Sequence, residues 1–452
     1  MVNKKEIPSI LAGKGIPNYQ EINPDDINNY IPILIKELNR DLTSLEKELE
    51  EKINQNLVIS WDDVMTPIHI IGERLRWSWG VVSHLNAVCN SSELRDSYSK
   101  QQPEIIRFGN RFGQSEVIYN SLVNLCNNSK NLNKTQIRIL TKELLTMKNS
   151  GVGLNSSKKD IFNSSSQKLA ELSNNFSNNV LDATKNWSLL LTKPEEIEGL
   201  PIRILENYAR SAKDAGEKGL NGESTGPTPE KGPWLISLDT PSYIPFITYS
   251  KNRQLREIIY KAYVSRASDG LLDNKKIIEE ILCLRTKQAK ILGYKNWTDL
   301  SLESKMAKDT KEVEQLLEEL RAAAMVVAKN ELRELKECAL RNGASKEAEN
   351  IAPWDISYLS EKLRQEKYDL DKEALRPWFP LPQVLNGLFK LCEKLFNIKV
   401  VASKKLDIPK WHNDVTLFDV FDQDGTEIAS FYLDPYSRSA TKRGGAWMDE
   451  CL

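Results

Sequence analysis

Histidine is the scarcest chemically capable side chain in these 452 residues, with only His69, His84 and His412. A catalytic zinc ion needs three convergent protein ligands and one position left for water or substrate. The sequence has no HExxH and no histidine pair at i, i+4, so no single helix turn offers two imidazoles to one ion. Pro67 lies near His69, and His412 follows Trp411 just before a β-prone stretch. This spacing predicts three structural or surface histidines and no metal ligands, with a dispersed metal site as the competing reading. Nucleophile motifs are also missing: there is no GxSxG. The cysteines at 89, 126, 283, 338, 392 and 451 form no CxxC and stand at wide, irregular gaps. That excludes a disulfide framework or a cysteine zinc site and predicts reduced thiols. A Cys–His pair has no local signature to support it. The abundant carboxylates sit in charged helical stretches and read as solvated faces.

One further motif bears on binding. Arg443-Gly444-Gly445-Ala446-Trp447-Met448-Asp449 places two glycines after a strand, where a second backbone can approach closely. Such a segment suits an edge that receives an extended chain. The local pattern taken alone favours a plain turn. The glycines between Gly216 and Gly222 do not make a phosphate cradle, because no strand precedes them and no Lys-Ser/Thr follows.

The elements that must position these residues are mostly helices. Asn23-Pro24-Asp25-Asp26 combines a cap, a first-turn proline and two acids ahead of Ile27, Tyr30, Ile31, Leu34, Leu38, Leu42 and Leu45. Pro32 inside that run predicts a kink or a later helix start. A second helix is expected over Ser166–Lys185. A third starts at Asp309 with Glu312, carries Val313, Leu316, Leu317, Leu320, Met325, Val327, Leu332 and Leu335, and stops at Asn342-Gly343. Residues 213–233 are rich in Gly, Pro and small polar residues and predict a surface loop or domain boundary. Near the end, Val415–Phe421 and Glu427–Leu433 flank Asp422-Gln423-Asp424-Gly425, which predicts a β-hairpin, with a short strand at Ile398–Ala402 beside it. The aromatics Trp354, Tyr358, Tyr368, Trp378 and Phe379 are expected to pack between helices, with a binding groove as the alternative.

Composition narrows the partners. Hydrophobic residues make up 40% and charged residues 28%, and 62 Lys plus Arg balance 63 Asp plus Glu for a net charge of -1. Such a balance gives no long-range pull toward nucleic acid or an anionic membrane. No apolar run suits a signal peptide, and none approaches the roughly 20 residues of a membrane span. The expectation is a cytoplasmic protein.

Seven segments carry a resemblance: VSHLNAV at 82–88, FSNNVLDAT at 176–184, LDTPSY at 238–243, YVSRASD at 263–269, PWDISY at 353–358, FYLDPY at 431–436 and KRGGAWMD at 442–449. Each is weak alone. As an ordered set over almost the whole chain, they resemble the thimet oligopeptidase (M3) family of zinc metallopeptidases, in particular its oligopeptidase A branch. The resemblance implies a mainly α, two-lobed, neurolysin-like fold with a deep channel that admits short unfolded peptides. It implies 1–212 as an N-terminal helical domain, 213–233 as a flexible loop or boundary, and 234–452 as the first part of the peptidase domain. In the family, zinc is held by the two histidines of HExxH and a later glutamate, and the Glu of HExxH activates water. A tyrosine and a histidine further along assist the tetrahedral intermediate. All of these lie beyond the position that matches Leu452, so none carries over. The resemblance therefore implies a truncated form with no catalytic and no metal residue of its own, inactive alone and binding no zinc.

Gly444, Gly445 and Ala446 do match the family's substrate-binding segment beside the cleft. Three readings stay open: a truncated or split oligopeptidase product, half of a two-piece enzyme completed by an HExxH-bearing chain, and a non-catalytic peptide-binding protein. The truncation is expected to leave the hairpin at 415–433 with an uncovered edge and apolar face.

Overall fold

The computed structural model describes residues 8–128, 130, 132–219, 226–370, 372–438 and 440–450. Six helices open the chain: α1 (Pro24–Asn54), α2 (Trp61–Val88), α3 (Ser92–Gly113), α4 (Glu116–Asn127), α5 (Lys134–Asn149) and α6 (Ser156–Lys185). The α1 cap forms as the sequence predicts: Asn23 Oδ1 accepts from the N–H groups of Asp25 and Asp26 at 2.9 and 3.1 Å, and Asp26 accepts from the Asn23 N–H. The helix starts at Pro24 and runs on through Pro32, so the later start is not used. An internal proline costs about 3 kcal/mol, and each fully buried Leu or Ile returns roughly 1.5–3 kcal/mol. With Ile27, Ile31, Leu34, Leu38, Leu42, Leu45 and Leu49 all buried, packing outweighs the proline. Helix α6 begins ten residues before the expected Ser166, because the Asn155 side chain caps it by accepting from the Lys158 N–H at 3.0 Å.

The first five helices share one apolar core that runs from Ile10 to Val152 and includes Trp77, Phe108 and Leu122. A second core follows, built from β1 (Ser188–Leu191), α7 (Ile202–Asp214), β2 (Trp234–Ser237), α8 (Thr240–Tyr249) and α9 (Arg253–Val264). Strands β1 and β2 pair antiparallel, Leu189 opposite Ile236, a small sheet that the sequence reading missed. This core takes side chains from both sides of 213–233, of which Lys213 and Asp214 end α7. The middle of that stretch, residues 220–225, lies outside the described residues. The far side folds onto buried Trp234, whose Nε1 donates to Pro229 O at 3.0 Å.

The rest comprises α10 (Lys275–Ile291), α11 (Trp297–Leu302), α12 (Thr310–Arg341), α13 (Ser345–Glu349), α14 (Pro353–Tyr368), α15 (Lys372–Leu375), α16 (Leu381–Phe396), β3 (Lys399–Ala402), β4 (Thr416–Phe421) and β5 (Glu427–Leu433). The three strands form one antiparallel sheet in the order β3-β4-β5, so the expected hairpin and its companion strand are both present. Helix α12 has the expected limits, with Asp309 capping and Asn342 closing it. Its apolar face is another matter: Leu316, Leu317, Leu320, Met325, Val327 and Leu332 are exposed, and only Leu335, Cys338 and Ala339 are buried. Tyr368, Trp378 and Phe379 are likewise exposed, which overturns helix packing for these three rings. Trp354 and Tyr358 do pack, against the guanidinium groups of Arg253 and Arg256.

Helix α14 is joined to α9 by charge more than by apolar contact. Arg256 and Asp355 are both fully buried. Asp355 accepts from Arg253 at 2.7 Å, from Arg256 at 3.0 Å and from the Ala352 N–H at 3.0 Å. Arg256 also donates to Ser250 O and Trp354 O. A buried ion cluster of this kind holds only because every polar group in it is matched.

Candidate functional site

Three stretches distant in sequence meet at one seam: the end of α2, the second half of α6, and the segment after β5. Asp434 is the hub. Its carboxylate accepts two parallel bonds from Arg438, both at 2.7 Å, and one from Trp411 Nε1 at 2.9 Å. Lys442 Nζ lies 3.1 Å from it and also donates to Asp434 O and Tyr436 O, both at 2.9 Å. Burial alone would raise the Asp434 pKa, but the bonds from Arg438, Trp411 and Lys442 overcome it and hold the carboxyl well below its ordinary range. Asp434, Tyr436, Arg438 and Lys442 are thereby tied to one another.

This folded segment is then fixed to the helices. The Asn90 N–H donates to Thr441 O and the Arg443 N–H donates to Ala87 O, both at 2.8 Å. The Arg443 guanidinium donates to Asn178 Oδ1 at 3.0 Å and to Asn174 Oδ1 at 3.4 Å on α6. Beside it, Arg95 clasps Asp182 with two bonds of 2.7 Å, tying α3 to α6. Under the hub lies an aromatic cluster in which the His84 ring stands edge-on to Trp411 at 4.2 Å, with Tyr19 and Tyr432 close by.

Beyond Arg443 the anchoring ends. Gly444, Gly445 and Ala446 are exposed, and their backbone groups have no hydrogen-bond partner among the described residues. Gly445 has φ +104°, a conformation that L side chains rarely adopt, and no atom lies within 4 Å of a Cβ built on either glycine. The three are therefore an open stretch of backbone on a rigid base, which is neither a strand nor a hydrogen-bonded turn.

The histidines do not build a metal centre. Among the described residues, no three His, Cys, Asp or Glu side chains gather where an ion could be held. His69 is exposed on α2, and His412 Nδ1 lies 3.4 Å from the Asp414 carboxylate. His84 is mostly buried against rings, and its Nε2 has no partner among the described residues. Burial lowers its pKa to about 4, against the opposing pull of Asp449 and Asp434, so it is neutral at pH 7. These residues do not fit a zinc site, and no chemical step is routed through one here.

Sequence reasoning singled out Gly444–Ala446 but not what holds them. The signal for the hub was present in the i, i+4 pair Asp434/Arg438. An arginine directly before two glycines was the signal for the anchor. Neither could be read from periodicity, because both depend on which helices the segment meets.

Comparison with known proteins places these features in context. Residues 246–452 match Peptidase family M3, and residues 31–159 match the Neurolysin/Thimet oligopeptidase N-terminal domain. Over 98% of this chain, identity is 41% with an organellar oligopeptidase A, chloroplastic/mitochondrial, and 40% with a probable cytosolic oligopeptidase A, both of Arabidopsis thaliana. It is 35% with oligopeptidase A of Escherichia coli, again over 98% of this chain. The chain spans 54%, 61% and 62% of those relatives' lengths, respectively.

Proposed function

Since the chain belongs to peptidase family M3, with oligopeptidase A-like relatives, we propose that its residues form the peptide-receiving part of an oligopeptidase that hydrolyses short unfolded peptides. One observation carries this: the open backbone of Gly444-Gly445-Ala446 stands on a base built from α2, α6 and the Asp434 hub. An extended peptide can pair with such a backbone through main-chain bonds and needs no particular side chains. Bond cleavage is not assigned to these residues, since the sequence in hand holds no HExxH. In the complete family enzyme zinc would polarise the scissile carbonyl and activate water; the role of this chain's residues is to hold and orient the peptide.

A second reading is completion by a segment that carries HExxH, on this polypeptide or another. The exposed apolar faces of α12 and α16 favour it, because faces of that size are normally covered. No described helix is long and apolar enough to cross a membrane. A cytoplasmic location is the reading that accords with the relative named as probably cytosolic, while the organellar relative makes an organelle the alternative.

The test is binding of a fluorescein-labelled octapeptide of Ala, Leu and Lys to the 452-residue chain, read by anisotropy. Gly445→Val forces a branched side chain into φ +104° and displaces the open backbone. The expected result is wild-type binding weakened about tenfold by Gly445→Val, the equivalent of ~1.4 kcal/mol, with an unchanged circular dichroism spectrum. Equal affinity for the two chains would remove the segment from the binding surface.

A further inference from the structure

The bonds that fix residues 441–443 stop abruptly at Gly444, and the last of them is made by an unusual arginine. Ala87 O is among the final carbonyls of α2, which a helix end leaves without an intrahelical donor. The Arg443 N–H supplies that donor. Its side chain turns the opposite way, to α6, where two neutral amide oxygens receive one Nη. Asn174 is itself oriented by donating to Ser99 Oγ at 3.4 Å. No carboxylate pairs with Arg443 among the described residues, and its Nε is buried without a partner there. The positive charges of nearby Arg95 and of Arg443 itself repel across this gap. A guanidinium so placed adds little to folding, because desolvating a charge against neutral acceptors is costly. What it does supply is geometry: one residue ties α2 through its backbone and α6 through its side chain, at the last position before the open segment.

We propose that Arg443 is a positioning residue for peptide binding, locking the chain into the α2–α6 seam so that Gly444, Gly445 and Ala446 leave it with their backbone groups presented. This rests on the reading of that segment given above. One nitrogen of the guanidinium, at the end of a long side chain, reaches both amide oxygens, Asn178 Oδ1 at 3.0 Å and Asn174 Oδ1 at 3.4 Å. A lysine in its place keeps the charge on a shorter side chain and ends in a compact, strongly hydrated ammonium in place of the planar group.

The experiment uses the full chain as wild type, Arg443→Met, Arg443→Lys and Gly445→Val. Each is measured for hydrogen exchange of the Asn90 and Thr441–Arg443 amides and for binding of the labelled octapeptide. Arg443→Met keeps much of the apolar stem while removing the guanidinium and its bonds to Asn174 and Asn178. It is expected to lose protection at these amides and to bind peptide about tenfold more weakly, as loss of a hydrogen bond to a charged group predicts. Arg443→Lys should restore part of both, and the urea midpoint should stay close to wild type in each.

Lost protection with wild-type affinity would overturn the positioning role; the reading of the segment would then stand if Gly445→Val still weakens binding. Unchanged protection would overturn the anchor itself. A wild-type chain that binds no octapeptide would overturn the segment's role, and the proposal with it. If Arg443→Met fails to fold, Asn178→Ala removes the same bond from the α6 side, and wild-type affinity there would equally overturn the proposal.

Discussion

Helices α1 and α12 carry the same sequence signal and end in opposite environments. Both run for about thirty residues, start at a capped acidic turn and repeat leucine at helical spacing. Leu42 on α1 is fully buried, whereas Leu317 on α12 is 59% exposed. The difference lies in their neighbours. Helix α1 is wrapped by α2, α3 and α4 within a continuous apolar core. Helix α12 meets α13 and α14 only through its last turns, where the apolar cluster amounts to Leu335, Ala339, Ala348 and Leu359. An amphipathic pattern thus reports that a face is suited to cover, while burial depends on whether the surrounding chain supplies that cover. Where it does not, the α12–α14 unit is held by the buried Arg253–Asp355–Arg256 cluster.

The largest expected effect tests that substitution of charge for apolar packing. Asp355→Ala strands Arg256 in the interior and should cost about 3–5 kcal/mol by urea unfolding, with the loss concentrated in α9–α14 by hydrogen exchange. The pH dependence has a definite sign. Burial favours the neutral acid, but the bonds from Arg253, Ala352 and Arg256 prevail and hold the Asp355 pKa below its ordinary 3.8. Its stabilisation is therefore present above pH 3.8 and lost as pH falls through the lower folded value, so the gap between wild type and variant should narrow there. A variant as stable as wild type at pH 7 would mean that α14 is held by other contacts. In the apolar region the matching test is Leu42→Ala, expected to cost about 2–5 kcal/mol through lost burial and a cavity.

What was legible in the sequence follows the same division. Local chemistry was readable: the Asn23 and Asp309 caps, the Asn342-Gly343 stop, and the Asp-Gly hairpin with strands within a residue of their observed limits. These depend on neighbours a few positions apart. The β1–β2 pair was not readable, since each strand is four residues long and the partners are separated by a helix and a loop. The exposure of Trp378 and Phe379 was misjudged because large apolar area was taken to guarantee a partner. At the candidate site, Gly444–Ala446 could be marked from the glycines and the family resemblance. The reach of Arg443 to α6 could not, because it joins positions more than 260 residues apart; the Asp434 hub left only its local Asp434/Arg438 pair to read.

A smaller effect probes the border between the first apolar core and the Asp434 seam. With its pKa lowered to about 4 from an ordinary 6.5, His84 binds a proton in the unfolded chain before it does in the folded one. Between those values the unfolded state holds more protons, so stability should rise with pH from about 4 to 6.5 and then level off. The full swing is at most about 3.4 kcal/mol, at 1.36 kcal/mol per pKa unit. His84→Phe keeps a ring against Trp411 and removes the titration, so its urea midpoint should vary less over this window. Identical slopes for the two chains would show that other groups govern the acid response.

The smallest expected effect on stability is also the most direct test of the α12 side of the comparison. Leu316→Gln, Leu320→Gln and, on α16, Leu388→Gln replace side chains that are all at least half exposed. Each should change unfolding free energy by no more than about 0.5 kcal/mol, as for surface positions generally. The same changes should reduce binding of the apolar dye ANS and any self-association seen by size exclusion, since each removes an exposed apolar side chain. Strand β5 forms an outer edge of its sheet and exposes Ile428 and Phe431, so Ile428→Lys should lower association further by blunting the edge. A loss of several kcal/mol from Leu320→Gln, comparable to Leu42→Ala, would show that the α12 face is packed in solution and that the two helices differ less than their surroundings here indicate.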